Sequence, residues 1–494
     1  MHALIVVDQP KDWPFDIPDV QVISAREYLT SSEHSERRGV RVFNLCRSYK
    51  YQRAGYYVSL LAGARGHRPI PSIETLSEFR HQARVQVFYE ELEDEIQRCL
   101  KPLVSDEFTL SIYFGRNTAA RYSALSRRLF NLVPAPFLRA FFQRNEDGWI
   151  LRRLEPIDAS AISAEHQSFV VEAANEYFSG RTRRSARPKG GRYDLAILHA
   201  PEEEERPSND VAMRRFVRAA EKVGFDVDMV TREDYAHIAE YDALFIRATT
   251  AVNHYTFRFA QRAAALGLVV IDDPESILRC TNKVYLAELL RRHRIPHPRT
   301  LLLHRRNVDE VAGALGLPCV LKQPDSAFSK GVKKVDTEQE LKRVAGELLD
   351  DSELIVAQEF LPTDFDWRIG VCAGEPLYVC RYYMARQHWQ IVKRDAAGNK
   401  ADEGYYDTLR VEDAPPHVLE TAMKAANLIG RGLYGVDLKE INGKCYIIEI
   451  NDNPSIDGGV EDKLAKDTIY ASIMNTLMQR VEQKKRVPNQ DAIV

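Results

Sequence analysis

Gly435-Val-Asp437-Leu438 and Cys445-Tyr-Ile-Ile-Glu449-Ile-Asn451-Asp-Asn-Pro454 are two β-forming runs separated by Asn442-Gly443, a pair of residues that readily turns a hairpin. Side chains alternate along a strand, so Glu449 and Asn451 share one face and Ile448 and Ile450 take the other. Asp437 lies on the preceding strand. Three oxygen-bearing side chains converging in this way suit a hard cation such as Mg2+, which takes a few carboxylates and completes its shell with nucleotide oxygens. The competing reading is a hairpin with a solvated polar face. The regular placing of Ile448 and Ile450 opposite the two polar residues makes it the lesser one.

Working outward, Lys283 opens an amphipathic helix after Cys280-Thr-Asn282, where a solvated lysine would be unremarkable. Lys322 differs, because it follows Val320-Leu321 inside the apolar run Pro318-Cys-Val-Leu-Lys322. A cation on such a strand is partly desolvated, and an anionic partner would offset that cost. Beyond it, Asp325-Ser-Ala-Phe-Ser-Lys-Gly331 is a small-residue loop whose backbone N–H groups could wrap phosphate oxygens. By itself an ordinary turn explains that loop equally well.

The whole chain has 494 residues with 68 Lys+Arg against 71 Asp+Glu, a net charge of −3. Hydrophobic residues at 45% and charged residues at 28% exclude disordered and fibrous classes, and the length predicts about three domains. Near-neutrality gives no reason to expect a nucleic-acid partner. The seven scattered cysteines include no CxxC pair and read as reduced thiols. The first apolar run is too short for a signal-peptide core, and no stretch approaches the roughly 20 apolar residues of a membrane span. A cytoplasmic protein with no membrane contact is expected.

Arg181-Thr-Arg-Arg-Ser-Ala-Arg-Pro-Lys-Gly-Gly-Arg192 resists helix and strand alike and predicts an exposed linker. Upstream, residues 3–7, 40–45 and 109–114 read as strands, and 56–64 and 85–100 as helices. Downstream, strands at 194–198, 226–230, 243–246 and 269–271 alternate with helices at 209–223 and 257–266, the pattern of βαβ crossovers on a parallel sheet.

Taken in order, Asn282-Lys283, Ile295-Pro-x-Pro-x-Thr300, Val320-Leu-Lys322, a loop closing on Gly331-Val332, Gln358-Glu-Phe360, Asp366-x-Arg368, Gly435-Val-Asp437 and Glu449-Ile-Asn451 resemble the ATP-grasp superfamily, and within it the RimK-like carboxylate–amine ligases. The resemblance implies an α/β chain in which residues 274–485 form an ATP-grasp fold, two α+β subdomains enclosing the nucleotide. A small doubly wound pre-ATP-grasp domain over 193–273 would precede it. An N-terminal α/β domain of the kind found in some RimK-like proteins would span 1–180, with 181–192 as the basic linker and 486–494 as a tail.

Position by position, the resemblance implies that Lys283 and Lys322 contact nucleotide phosphates, with Ser329, Lys330 and Gly331 in the phosphate loop. Gln358, Glu359, Phe360 and Leu361 would form the hinge that holds adenine, and Asp366 would meet the ribose. Arg368 and Arg381 would line the phosphate and substrate end as catalytic residues. Asp437, Glu449 and Asn451 would ligate Mg2+, or Mn2+ in its place, and Asn453, Gly458 and Gly459 would shape the acceptor pocket. Two departures stand out. The phosphate loop lacks further glycines, and Arg386-Gln-His-Trp-Gln-Ile-Val-Lys393-Arg394 stands where relatives carry an Arg and a nearby Asn, which nominates Lys393 or Arg386 for that role.

The implied cofactors are therefore ATP and a divalent cation, and the implied partners are a small-molecule acid and an amine acceptor: a free amino acid, a peptide or a protein tail. A homo-oligomer is expected. A carboxylate is a poor electrophile, and phosphorylation turns it into an acyl phosphate that an amine can attack, with charge neutralised by cations rather than by a covalent protein nucleophile. Two other readings stay open: a kinase that phosphorylates a small molecule at the same nucleotide site, and a regulatory protein that binds nucleotide without turnover. Tyr49, Tyr51, Tyr56 and Tyr57, with Arg47, Lys50 and Arg53, could stack a base or cradle an acidic substrate, and packing at a helix start is at least as good a reading. His293 and His297 flank Pro296 in a loop and read as solvent-facing.

Overall fold

The computed structural model describes residues 3–485 apart from 14, 16, 18–19, 32, 35–36, 38–39, 66, 79–91, 147, 185–190, 204, 326–330, 387 and 395–399. The chain divides into two compact units, Met1–Lys189 with Tyr235–Glu240, and Gly190–Asp234 with Tyr241–Val494.

In the first unit, β1 (Ala3–Val7), β2 (Val20–Ser24), β3 (Arg41–Asn44) and β4 (Arg68–Ile70) form a parallel sheet in the order β2-β1-β3-β4. All five residues of β1 are buried, as expected of a central strand covered on both faces. Beside it, β5 (Glu107–Tyr113), β6 (Phe137–Asn145) and β7 (Gly148–Pro156) make an antiparallel sheet that buries Leu110, Leu138, Ala140 and Leu154 against the Ser123–Leu132 helix. Residues 92–100 are helical, and the remainder of the helix expected over 85–100 lies outside the described residues. The Gln167–Arg184 helix runs through the first four positions of the stretch predicted to be a linker. Arginine is a good helix former and the Pro and Gly that break the pattern come only later, so the basic composition alone misplaces the helix end.

The second unit opens with a parallel sheet of β8 (Tyr193–His199), β9 (Phe225–Val230), β10 (Ala243–Arg247) and β11 (Val269–Ile271), ordered β11-β10-β8-β9. Its first crossover helix, Asp210–Val223, starts where the Asn209 side chain accepts from the Ala212 N–H and ends at Gly224, whose φ of 102° suits a residue without Cβ. Next comes an antiparallel sheet of β12 (Thr300–Leu303), β13 (Cys319–Lys322), β14 (Val332–Val335) and β15 (Ile355–Glu359), in the order β12-β15-β13-β14. A larger antiparallel sheet has the order β20-β17-β16-β21-β22, built from β16 (Phe365–Cys372), β17 (Glu375–Tyr383), β20 (Tyr406–Leu409), β21 (Leu433–Ile441) and β22 (Lys444–Asp452). A two-stranded ribbon, β18 (Val392–Arg394) with β19 (Lys400–Glu403), lies between β17 and β20 in sequence.

Alternation gives the five-stranded sheet two different faces. Trp367, Ile369, Val379, Val436, Leu438 and Ile447 pack under the Pro416–Ile429 helix. On the other face, Cys372, Tyr378, Cys380 and Leu433 join the parallel sheet and the Asp467–Lys485 helix in one core. Further along that second face the side chains become polar, with Arg368 and Asp437 side by side. Among the described residues, no helix is long and apolar enough to cross a membrane.

Candidate active site

Asp437 of β21 stands directly opposite Glu449 of β22 and Arg368 of β16 in the sheet register, while Asn451 is opposite Gly435. Cross-strand partners share a face, so the register alone brings these four together. Arg368 donates to both oxygens of Asp437, Nε at 2.7 Å and Nη2 at 2.8 Å, and the Asn451 amide donates to Asp437 Oδ2 at 3.2 Å. Burial raises the Asp437 carboxyl, against the pull of Arg368. Burial opposes the Arg368 charge in turn, yet the Asp437 carboxylate more than offsets it and holds the guanidinium firmly protonated. Behind Arg368, the Tyr382 ring lies 5.1 Å from the guanidinium and its hydroxyl donates to the buried Glu461.

The lysines come from other elements. Asn282 caps the Lys283–Arg292 helix by accepting from the Tyr285 N–H and also donates to Asp325 at 2.9 Å, while the Lys283 N–H donates to the Pro324 carbonyl. These bonds tie the start of the helix to Pro324 and Asp325, where the segment expected to bind phosphate begins, and aim Lys283 at Glu449, 3.2 Å away. Gly331, with φ 74°, closes the loop's other end by accepting from the Gln323 N–H. Ser329 and Lys330 lie outside the described residues. Lys322 ends β13 with 9% exposure, and burial lowers its ammonium to about 8, partly countered by Glu449. Glu449 is pushed up by burial, but Lys283 and Lys322 hold it below the usual carboxylate range.

Asp366 shares the Arg368 face and accepts from Lys439 Nζ at 2.6 Å and Thr363 Oγ1 at 3.2 Å. Gln358 is buried and donates to Thr300 Oγ1. The Glu359 carboxylate is held by Arg299, through Nε at 2.6 Å and the backbone N–H at 2.8 Å. The Phe360 ring meets Trp389 edge-on at 6.0 Å and lies 5.2 Å from Lys334 Nζ, and Leu361 is half-buried next to it.

The other expected residues lie outside this cluster. Arg381 is opposite Trp367 in the register and so lies on the far face of the sheet, its guanidinium 5.5 and 5.7 Å from the Phe365 and Trp367 rings and 2.5 Å from Asp407. Strand parity separates it from Arg368, which order in the sequence does not reveal. Asn453 is buried with its amide spent on Arg247 and the Ala248 carbonyl. Gly458 packs against the Asp210–Val223 helix, where a Cβ would meet Val211 at 2.5 Å, and its N–H donates to Asn209. Gly459 follows with φ 97°. Lys393 belongs to β18, its side chain outside the described residues, and Arg386 is exposed.

Sequence reasoning did not single out Lys439, Tyr382, Glu461 or Arg247. Lys439 lies two positions after Asp437, a spacing that could have flagged it. Arg247 ends an apolar parallel strand, where ligand sites of α/β sheets tend to gather.

Asp437, Glu449 and Asn451 offer two carboxylates and an amide carbonyl on one face, beside Lys283 and Lys322. That donor set fits Mg2+ only with further oxygens, since no group of three or more His, Cys, Asp or Glu side chains among the described residues is arranged to hold a metal by itself. The phosphates of a nucleotide held by the lysines would supply them.

Two family models match the chain: the RimK-like ATPgrasp N-terminal domain over residues 25–173, and the ATP-grasp domain over 280–457. Curated relatives include the alpha-aminoadipate–LysW ligase LysX of Saccharolobus solfataricus, 25% identical over 256 residues that cover 49% of this chain and 88% of that protein. A probable alpha-L-glutamate ligase of Marinomonas sp. is 23% identical over 275 residues, covering 51% and 87%. Among solved structures, a D-alanine–D-alanine ligase from Bacillus anthracis aligns at 16% identity over 59% of this chain and 97% of that one, with a TM-score of 0.47. A RimK domain protein of Sphaerobacter thermophilus aligns at 16% over 57% and 98%, with a TM-score of 0.44.

Proposed function

We propose that this chain, which carries a RimK-like ATP-grasp N-terminal domain and an ATP-grasp domain, is an ATP-dependent, ADP-forming carboxylate–amine ligase. The observation that carries the reading is the meeting of Lys283, Lys322 and Arg368 with Asp437, Glu449 and Asn451 on one sheet face. Lys283 and Lys322 would hold phosphate oxygens, and the nucleotide's negative charge would offset the cost of keeping Lys322 charged in a buried place. Asp437, Glu449 and Asn451 would hold Mg2+, which supplies Lewis-acid neutralisation of the phosphate charge. Arg368 orients Asp437, and the Tyr382–Glu461 pair steadies Arg368 from behind.

In the reaction, a carboxylate oxygen of the acid attacks the γ-phosphorus and ADP leaves, giving an acyl phosphate. The amine then attacks the acyl carbon, phosphate leaves, and the amine's proton passes to solvent or phosphate, giving an amide. The chain contributes positioning and charge, and the steps require no protein nucleophile. The relatives named for α-aminoadipate and α-L-glutamate support an amino acid with a side-chain carboxyl as one of the two substrates.

The test is mass spectrometry of the chain incubated with ATP, Mg2+, pooled amino acids and cell extract. ADP, phosphate and a new amide are expected, all lost in Asp437→Ala and Glu449→Ala. ADP accompanied by a phosphorylated product and no amide would favour a kinase instead.

A further inference from the structure

Arg247 is 1% exposed, and among the described residues its guanidinium makes no hydrogen bond to a carboxylate; Asp272, Asp457 and Glu461 act on it only at longer range. Nη1 donates to Asn453 Oδ1 at 2.6 Å. Nη2 donates to the Pro207 carbonyl at 2.5 Å, Ser208 Oγ at 2.7 Å and the Pro454 carbonyl at 2.9 Å, and Nε donates to Ser208 Oγ at 3.2 Å. Burial still works against the Arg247 charge more than those carboxylates favour it, and an apolar residue of similar size would fill the place more cheaply. The arrangement therefore asks for a reason other than stability.

The acceptors supply one. Asn453 and Pro454 leave β22 immediately after Glu449 and Asn451. Asn453 sits at φ 46°, a left-handed conformation uncommon for a residue with a side chain, and its amide is held from the other side by the Ala248 carbonyl at 2.5 Å. Arg247 and Ala248 thus grip the turn out of β22 from the end of β10, in the parallel sheet rather than in the ATP-grasp sheets. Further bonds continue the grip: Ser208 Oγ donates to the Ile456 carbonyl, and the Asn209 N–H donates to Asp457.

We infer that Arg247 is a positioning residue for the metal end of the nucleotide site: it fixes the turn at Asn453–Pro454 and through it the setting of Asn451 and Glu449 against Asp437. The inference rests on the reading of those three residues as Mg2+ ligands. It assigns the parallel-sheet domain a part in catalysis, since a residue over 200 positions upstream sets the geometry of the carboxylate strand.

The full chain and its Arg247→Met and Arg247→Lys variants are titrated with ADP in EDTA by calorimetry, then with Mn2+ at saturating ADP by electron paramagnetic resonance. Metal-free ADP affinity should stay within about twofold of wild type, because the lysines are untouched, while the Mn2+ midpoint rises about tenfold in Arg247→Met and less in Arg247→Lys. If Arg247→Met does not fold by circular dichroism, Asn453→Ala, which removes one acceptor, should give the same selective shift at smaller size. An unchanged Mn2+ midpoint, or equal losses of metal-free and metal-bound affinity, overturns the assignment. A wild-type chain that binds ADP but shows no metal site at all overturns the ligand reading together with it, so the two failures are distinguishable.

Discussion

Raising the pH above 8 should weaken nucleotide binding through one side chain, Lys322. Its ammonium is buried at the end of β13 and lowered from 10.5 to about 8, first by desolvation and then by the opposed influences of Glu449 and Lys283. The drop from 10.5 to about 8 corresponds to roughly 3 kcal/mol against the charged form in the free protein. For a lysine whose folded value is depressed, that cost is fully present below pH 8, where folded and unfolded chains are both protonated. It fades between 8 and 10.5, where the unfolded chain holds the extra proton and stability rises with pH. A bound phosphate reverses the balance by favouring the ammonium. Binding above pH 8 must then take up a proton, and affinity should fall towards about tenfold per pH unit.

Calorimetry of metal-free ADP in two buffers of different ionisation enthalpy measures that uptake directly. About 0.5 proton is expected at pH 8 and about 0.9 at pH 9, where the nucleotide itself no longer titrates. Lys322→Arg keeps the charge at every accessible pH and should abolish the uptake. Uptake near zero at pH 9 in the wild type, or undiminished in Lys322→Arg, would refute the argument.

Asp437→Ala leaves Arg368 buried without its bidentate partner; a loss of about 3 kcal/mol in urea unfolding is expected, together with loss of Mg2+-dependent turnover. Tyr382→Phe removes the hydroxyl that donates to buried Glu461 and should cost about 1–3 kcal/mol by the same measurement, with kcat falling more than KM changes. Gly370→Ala would set a Cβ 2.2 to 2.6 Å from the Tyr378 ring, whose hydroxyl donates to the Ser455 carbonyl; a loss of about 2 kcal/mol is expected, visible as a lower thermal midpoint.

Much of the fold and part of the site could be read in advance because they depend on local periodicity. Glu449 and Asn451, two apart, do share a face, and β1 and β11 are continuous apolar runs, so these follow from spacing. The expected place of Ile448 does not: the register shifts there, and Ile447 rather than Ile448 joins Ile450 in the core. Arg381 shows where that kind of reading stops. Its distance along the chain from Arg368 says nothing about parity across the β16–β17 turn, where an irregularity at Gly370 and Val371 shifts the register. Arg247 and Asn453 are 206 positions apart and meet only because β10 and β22 end side by side, a juxtaposition that no local pattern encodes.

Four cations at this site, Lys283, Lys322, Arg368 and Lys439, meet three carboxylates, Asp366, Asp437 and Glu449. Three pairs neutralise one another: Lys283 with Glu449, Arg368 with Asp437, and Lys439 with Asp366. Lys322 is left as the cation without an ion pair among the described residues. A nucleotide arriving without metal therefore meets cations whose charge is largely spent on carboxylates. On the proposed reading, Glu449 and Asp437 would turn part of their charge to a divalent cation, and the positive charge of Lys283 and Arg368 would become available to phosphate oxygens. The two ligands should then bind cooperatively, and linkage requires the coupling to be equal in both directions. Titrating ADP with and without saturating Mg2+, and Mg2+ with and without saturating ADP, closes the thermodynamic box. A coupling of about tenfold or more is expected, and Glu449→Gln, which removes one internal counter-charge, should raise metal-free ADP affinity while reducing the coupling. If Glu449→Gln instead weakens metal-free ADP binding, Glu449 is not acting as a counter-ion that holds Lys283 back from phosphate.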